Sequence, residues 1–483
     1  MSRRIVGPFN RVEGDLEVQL DIADGEVRDA WVVSPLYRGF EQILHGKDPL
    51  DALVYAPRIC GICSVSQSVA AAMALAQAQG IDMPENGQHA TNLVLANENV
   101  ADHLTHFYLF FMPDFARDIY RADSWHADAA ARFKAVVGCA ARDFLPSRAK
   151  FLHLMGLLAG KWPHSLALQP GGTTRAVEAQ EKIRILALLF EFRRFLERTL
   201  YGMELEQLAD IDTIEKLTAC QEQAAVRDSD LGHFLRIAGQ LDLASLGRTD
   251  NIFMSYGAYP VSGKRLFGRG LWSEAGWQAL REDRIAEDMS HSWMAHRSTP
   301  LHPYEGITQP DASAEAGYSW CKAPRLDGRV VEVGALARQV VDGHPLAREL
   351  VAAGGSNVRN RVIARLIETA RIVMAMEAWA RALRPGEPFC RQAEMPEEAQ
   401  GAGLVEAARG SLGHWLRIKN GRILNYQIIA PTTWNFSPRD HHHVRGTLEQ
   451  ALLGAPVRHG EKDPVAVQHI VRSFDPCMVC TVH

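Results

Sequence analysis

"RICGIC" at residues 58–63 and "DPCMVCTVH" at residues 475–483 are the two stretches that decide how this chain reads. Each holds a C-x-x-C pair, Cys60 with Cys63 and Cys477 with Cys480, and the second pair lies within seven residues of the end. Asp475 and the terminal His483 add harder donors to a segment that chains ordinarily leave frayed. A tail with this donor content is expected to be tied down. The first pair precedes a helix-like stretch, where unpaired backbone N–H groups and the positive dipole end favour thiolates. A four-thiolate site would join the two ends of the chain and pin the tail by a metal. Spacing alone leaves three readings open: tetrahedral zinc, another metal centre, or separate redox dithiols. Structural zinc sites usually staple a local finger, and the separation of these pairs weighs against one.

Composition bounds the remaining possibilities. The 483 residues are 47% hydrophobic and 23% charged, ordinary for a globular protein, and 52 basic against 57 acidic residues give a net charge of −5. That balance offers no electrostatic case for nucleic acid or an anionic membrane. No run of about 18 apolar residues and no apolar stretch behind "MSRR" suggests a span or a signal peptide, so a cytoplasmic chain is expected. Eight cysteines are too few for a disulfide scaffold, and Cys139, Cys220, Cys321 and Cys390 read as small buried hydrophobes.

Periodicity predicts a mainly α fold with small β excursions (α+β). A β-hairpin is expected over about 15–33, with "LEVQLDI" alternating and Asp24-Gly25 turning. Residues 66–80, about 90–112, 174–200 and 356–383 carry helical periodicity. Residues 246–345 are rich in Gly, Pro and aromatics, and 413–429 read as a hairpin around Asn420-Gly421. No repeat or linker divides the chain, so residues 1–483 are expected to form one merged domain, with metal motifs at 58–64 and 475–483.

The flanking residues favour one reading. The two cysteine motifs resemble those of nickel–iron hydrogenase large subunits. "RVEGD", "YRGFE", "HFYLFFMPD", "PHSLALQPGG", "YSWCKAPR", "EVGALAR", "EAARGSLGHW" and "NYQIIAPTTWNFSPRD" extend the resemblance along nearly the whole chain. It implies a large-subunit fold with a central helical bundle. It also implies a nickel held by Cys60, Cys63, Cys477 and Cys480, with Cys63 and Cys480 bridging to an iron that carries two cyanides and one carbon monoxide. H2 would be split heterolytically, the Cys477 sulfur taking the proton and Glu13 relaying it. Glu41 and His483 match the ligands of a hard Mg2+ site, with a backbone carbonyl near Ile428 or Ile429. Arg409 would lie over the site with Asp114 and Asp475 beside it. Pro431 and Thr432 match the pocket for the iron's diatomic ligands, while His441–His443 reads as a surface loop. Iron–sulfur clusters would sit only in a partner small subunit, since no further cysteine-rich motif exists here.

Several positions depart from the usual family pattern. Asp15 and Gln67 stand where histidines are usual, and Ala408 replaces a proline. Ile62 and Phe110 occupy gas-channel positions where oxygen-sensitive members have smaller residues, and added bulk should hinder O2 more than H2. The sequence ends at His483, where most large subunits are made with a further extension that is later cut off. These traits resemble the regulatory, hydrogen-sensing subgroup, whose members signal to a histidine kinase and turn over slowly without inhibition by oxygen. A respiratory uptake hydrogenase in mature form is the alternative. A complex I-type subunit of the same lineage would lack the four cysteines.

Overall fold

The computed structural model describes residues 2–295 and 299–481. It is helix-rich with small antiparallel sheets, as the periodicity predicts. The hairpin forms from β2 (Glu17–Ala23) and β3 (Glu26–Val33), and β1 (Ser2–Val6) adds a third strand beside β2. Leu16, Val18, Leu20 and Ile22 alternate inward, the two-residue period of a half-buried sheet.

Helix α1 (Ser64–Gln79) starts directly after Cys63, and α2 (Glu85–Thr105) runs on into a π-helical turn at His106–Phe111. Helix α3 spans Ala179–Phe195 and α4 spans Val358–Ala382. Residues 253–278 supply a three-stranded sheet within the Gly- and aromatic-rich region. Near the C-terminus β4 (Ala399–Ala407), β5 (Gly410–Lys419) and β6 (Arg422–Ile429) form another. The β5–β6 turn is Asn420-Gly421, with φ of 52° and 64°, the left-handed pair such a hairpin needs. One hydrophobic cluster takes residues from Val6 to Cys480, so the two ends of the chain share a core.

Helix α1 and strand β4 pack backbone to backbone. The alanine-rich face of α1 meets Gly401 and Gly403, where added Cβ atoms would lie 2.0 Å from Ala74 O and 1.8 Å from Ala70 O. Only glycine lets this strand touch the helix backbone. Because α1 begins at the cysteine loop and β4 leads to Arg409, the contact sets one side of the site against the other. Gly403→Ala is expected to cost about 3 kcal/mol of stability by overpacking, read by denaturant unfolding. Gly239→Ala, inside the helix Asp230–Gln240 with nothing within 4 Å of the added Cβ, should instead be neutral or stabilising by up to about 1 kcal/mol.

Two of the four scattered cysteines differ from expectation. Cys220 and Cys321 are buried, whereas Cys139 and Cys390 are only partly so. The His441–His443 stretch is an exposed loop, anchored by His441 Nδ1 to Asp288 at 2.5 Å.

Candidate metal centre

The four motif cysteines come together. Cys60, Cys63, Cys477 and Cys480 are all buried, and their sulfurs lie within 4.8 Å of one another. Cys477 Sγ is 3.0 Å from Cys480 Sγ, Cys63 Sγ is 3.2 Å from Cys480 Sγ, and Cys60 Sγ is 3.4 Å from Cys477 Sγ. These separations exceed the roughly 2.05 Å of a disulfide, and all four thiols are free. Among the described residues this is the one grouping of three or more His, Cys, Asp or Glu side chains close enough to share a metal ion. Four soft donors converging from both ends of the chain fit a nickel–iron pair, since thiolates suit soft metals.

Protons in the cluster are unevenly held. Cys60 is pushed well down by hydrogen bonds from Cys477, Cys480 and Cys63. Cys63 is pushed well up by its sulfur neighbours and burial, and Cys477 by burial and then by Cys480. Cys60 Sγ also accepts the backbone N–H of Ile62 at 3.3 Å and of Cys63 at 3.5 Å. The helix dipole is not offered to the thiols alone. The buried Glu98 carboxylate takes the first-turn N–H groups of Val65 at 2.8 Å and Ser66 at 2.9 Å, with Trp162 Nε1 at 3.0 Å. Burial pushes Glu98 up to about 7 against those three donors and the Ser66 hydroxyl, which donates at 3.0 Å.

The described part of the tail is tied down by hydrogen bonds. Glu13 and Cys477 form a parallel bridge, with Met478 N–H donating to Glu13 O at 2.7 Å. Thr432 Oγ1 accepts the Cys477 N–H at 3.1 Å, and Ser34 Oγ lies 3.0 Å from Thr481 Oγ1. Upstream, Arg365 Nη1 donates to Ser473 O at 2.6 Å, and the Arg361 guanidinium stacks on Phe474 at 3.7 Å. Pro431 opens the short helix Pro431–Asn435 that presents Thr432. With its oxygen accepting from Cys477, the Thr432 hydroxyl keeps its own hydrogen free to donate.

Glu13 is half-buried beside the sulfurs. Burial and the Cys60 charge push its carboxyl up, and the Arg409 guanidinium pulls it down. Arg409 Nε donates to Asp475 O at 2.7 Å and Nη2 to Asp475 Oδ1 at 3.2 Å. Its other carboxylate partner is Asp102, with Nη2 to Oδ1 at 3.3 Å and a shorter bond through Nη1.

The expectation that Asp114 sits beside Arg409 is therefore corrected. Asp114 pairs with Arg472 Nη1 at 2.6 Å and with Arg11, and His469 Nδ1 lies 3.4 Å away. The physical reason is the path of α2, which brings Asp102 to Arg409 before the π-helical turn redirects the chain. Asp102 was missed from sequence, although Glu98, Asp102 and His106 recur every four residues and mark one polar stripe on a buried helix.

Gln67 is fully buried. Its Oε1 accepts from His414 Nε2 at 2.7 Å, and Tyr426 hydroxyl donates to His414 Nδ1 at 2.8 Å. Burial pushes His414 down to about 3, which keeps the imidazole neutral, and Gln67 Nε2 has no partner among the described residues. Ile62 and Phe110 are both half-buried. Glu41 is buried, accepting Ile428 N–H at 2.8 Å and Lys322 Nζ at 3.1 Å, with Thr308 also bonded. Lys322 bonds Glu287 too, at 3.0 Å. Two buried carboxylates thus face one ammonium, and burial lifts Glu287 to about 7, where a proton can balance the remaining charge. His483 lies outside the described residues.

Fold and site together define a protein in which four buried thiols from both chain ends are placed to share a metal. The nickel-dependent hydrogenase profile matches residues 38–142 and 141–483, and the chain belongs to that family. It is 30% identical to the periplasmic NiFeSe hydrogenase large subunit of Desulfomicrobium baculatum, covering 99% of this chain and 94% of that one. Against the uptake hydrogenase large subunit of Bradyrhizobium diazoefficiens it is 27% identical over 100% of this chain and 95% of that one. The reduced Ni-Fe-Se hydrogenase from D. vulgaris Hildenborough superposes with a TM-score of 0.85 at 29% identity, covering 100% of both chains. The protein is the catalytic large subunit of a nickel–iron hydrogenase.

Proposed function

We propose that this chain cleaves H2 heterolytically at a nickel–iron centre held by Cys60, Cys63, Cys477 and Cys480, paired with an iron–sulfur small subunit. We further propose that the cell uses it as an oxygen-tolerant H2 sensor that signals to a histidine kinase, which places it in the cytoplasm. The observation that carries the chemical reading is the convergence of four buried thiols from both chain ends, with Glu13 and Arg409 against them. When bound, the metal pair, with cyanide and carbon monoxide on iron, supplies the open position at which H2 is polarised and split. In this reading the Cys477 sulfur would take the proton and the Glu13 carboxyl would accept it next; the Glu13 backbone bridges Cys477, and its carboxyl feels the Cys60 charge. Arg409 holds a fixed positive charge over the cluster, anchored by Asp102 and Asp475. Thr432 fixes the Cys477 backbone, and its hydroxyl hydrogen would be available to a diatomic ligand on the iron. Glu41 and His483 would hold Mg2+, whose charge offsets the buried carboxylates.

The sensor reading is supported by the bulk of Ile62 and Phe110 and by Gln67, whose neutral amide with the neutral His414 puts no titratable group at that position. Relatives named as uptake hydrogenases favour the second reading, respiratory H2 uptake. H2-dependent dye reduction by the heterodimer, with and without dissolved O2, separates the two. Slow turnover indifferent to air is expected, and fast turnover abolished by air would establish uptake. Ile62→Val with Phe110→Leu should then make the protein oxygen-sensitive. Unchanged tolerance would remove the gas-channel argument.

A further inference from the structure

Behind Arg409 lies a buried polar cluster that the mechanism above does not use. Arg338, 1% exposed, sits on the helix Ala335–Asp342. Its Nε and Nη2 bond the Glu368 carboxylate at 2.9 Å and 2.6 Å, and Nη1 bonds Glu406 Oε2 at 2.8 Å. The remaining donors go to backbone, Nη1 to Ala407 O and Nη2 to Ala408 O, both at 2.9 Å. All five N–H groups of the guanidinium are therefore engaged. The two carbonyls belong to the residues immediately before Arg409.

The carboxylates are held in turn. Glu368 accepts from His103 Nε2 at 2.9 Å and from Gln339 Nε2 at 3.0 Å. Glu406 accepts Tyr256 N–H at 2.7 Å and Ser411 Oγ at 2.6 Å, clamping the strand on both sides of Arg409. After Arg409 the chain turns at Gly410, φ 132°, where a Cβ would meet Gly334 N at 2.7 Å, so the turn rests on the start of the helix that carries Arg338. Helix α2 contacts both arginines, through Asp102 to Arg409 and through His103 to the carboxylate that holds Arg338.

We propose that Arg338 is a positioning residue for Arg409, fixing the 406–408 backbone from behind while Asp102 and Asp475 fix the side chain from the front. This rests on the reading of Arg409 as the cation over the metal centre. A charge alone would neutralise the two carboxylates, but only the fork also reaches the Ala407 and Ala408 carbonyls. A lysine presents three donors from a single atom, too compact to span Glu368, Glu406 and both carbonyls.

The test is Arg338→Lys in the metal-loaded heterodimer. H2/D2 exchange is expected to fall about 10²-fold, the effect of a small misplacement of a catalytic group, with nickel and iron content retained. In an Arg409→Lys background the same change should add less than about 3-fold, because residues acting through one another are not additive. In the metal-free chain, amide exchange of a peptide covering 404–411 should accelerate about 10-fold, a readout independent of turnover. Wild-type H2/D2 exchange in Arg338→Lys, or an equal loss in both backgrounds, would overturn the proposal. If Arg338→Lys does not accumulate, Glu406→Gln removes one charged bond to the fork and should show the same non-additivity. A wild-type heterodimer without H2/D2 exchange would instead strike the proposed function and leave the amide-exchange arm to judge Arg338.

Discussion

Replacing Cys63 with serine is expected to remove nickel and iron together. Its sulfur is buried 3.2 Å from Cys480 Sγ, within the set of four that lies inside 4.8 Å. A hydroxyl keeps its proton near neutral pH and offers a hard neutral oxygen, a poor substitute for a thiolate toward nickel or iron. If Cys63 bridges the metals, as the family resemblance implies, neither ion can be retained without it. Elemental analysis and infrared spectroscopy of the purified heterodimer check this. Stoichiometric nickel with intact cyanide bands would contradict the bridging assignment. Cys220→Ser is the matched control. Its thiol is also buried but donates only to Leu217 O at 3.0 Å within its own helix, a bond serine can make, so metal content should be unchanged.

Glu13→Gln is expected to leave metals in place and slow H2/D2 exchange by about 10³-fold, the range of a lost proton-transfer group. The substitution keeps the side chain's size and leaves intact the backbone bridge, in which Met478 N–H donates to Glu13 O at 2.7 Å. What it removes is a group able to alternate between carboxyl and carboxylate. Burial and the Cys60 charge raise the carboxyl while Arg409 lowers it, so the side chain is poised between opposing influences. Near-normal infrared bands with slowed exchange would mark a relay, and exchange at the wild-type rate would remove Glu13 from that role.

The chemistry was more legible in the sequence than the architecture around it. Cys60, Cys63, Cys477 and Cys480 announce themselves because C-x-x-C is short-range information, and soft donors in paired spacing have few uses. The β2–β3 hairpin and the β5–β6 turn at Asn420-Gly421 were readable for the same reason, since turn residues act over two positions. Helices α1 to α4 carry a period that needs no tertiary context. Asp114 shows the limit. It lies in a motif that resembles the family's, yet the π-helical turn at His106–Phe111 sends it to Arg472 and Arg11. A register change of that kind leaves no local signature.

By itself the sequence determined the donor set, the helix-rich class and the family, because each rests on residue type at short spacing. Only the tertiary structure decided which charges face one another. It gave Arg409 to Asp102 and Asp475, Arg338 to Glu368 and Glu406, the α1 first-turn N–H groups to Glu98, and Gln67 to His414. The partners in these contacts lie from 30 to 347 residues apart in the chain. Their pairing follows from burial: a charge or amide taken out of water must find a partner wherever packing brings one. Which partner arrives is a property of how the helices cross, and no local pattern of residues encodes it.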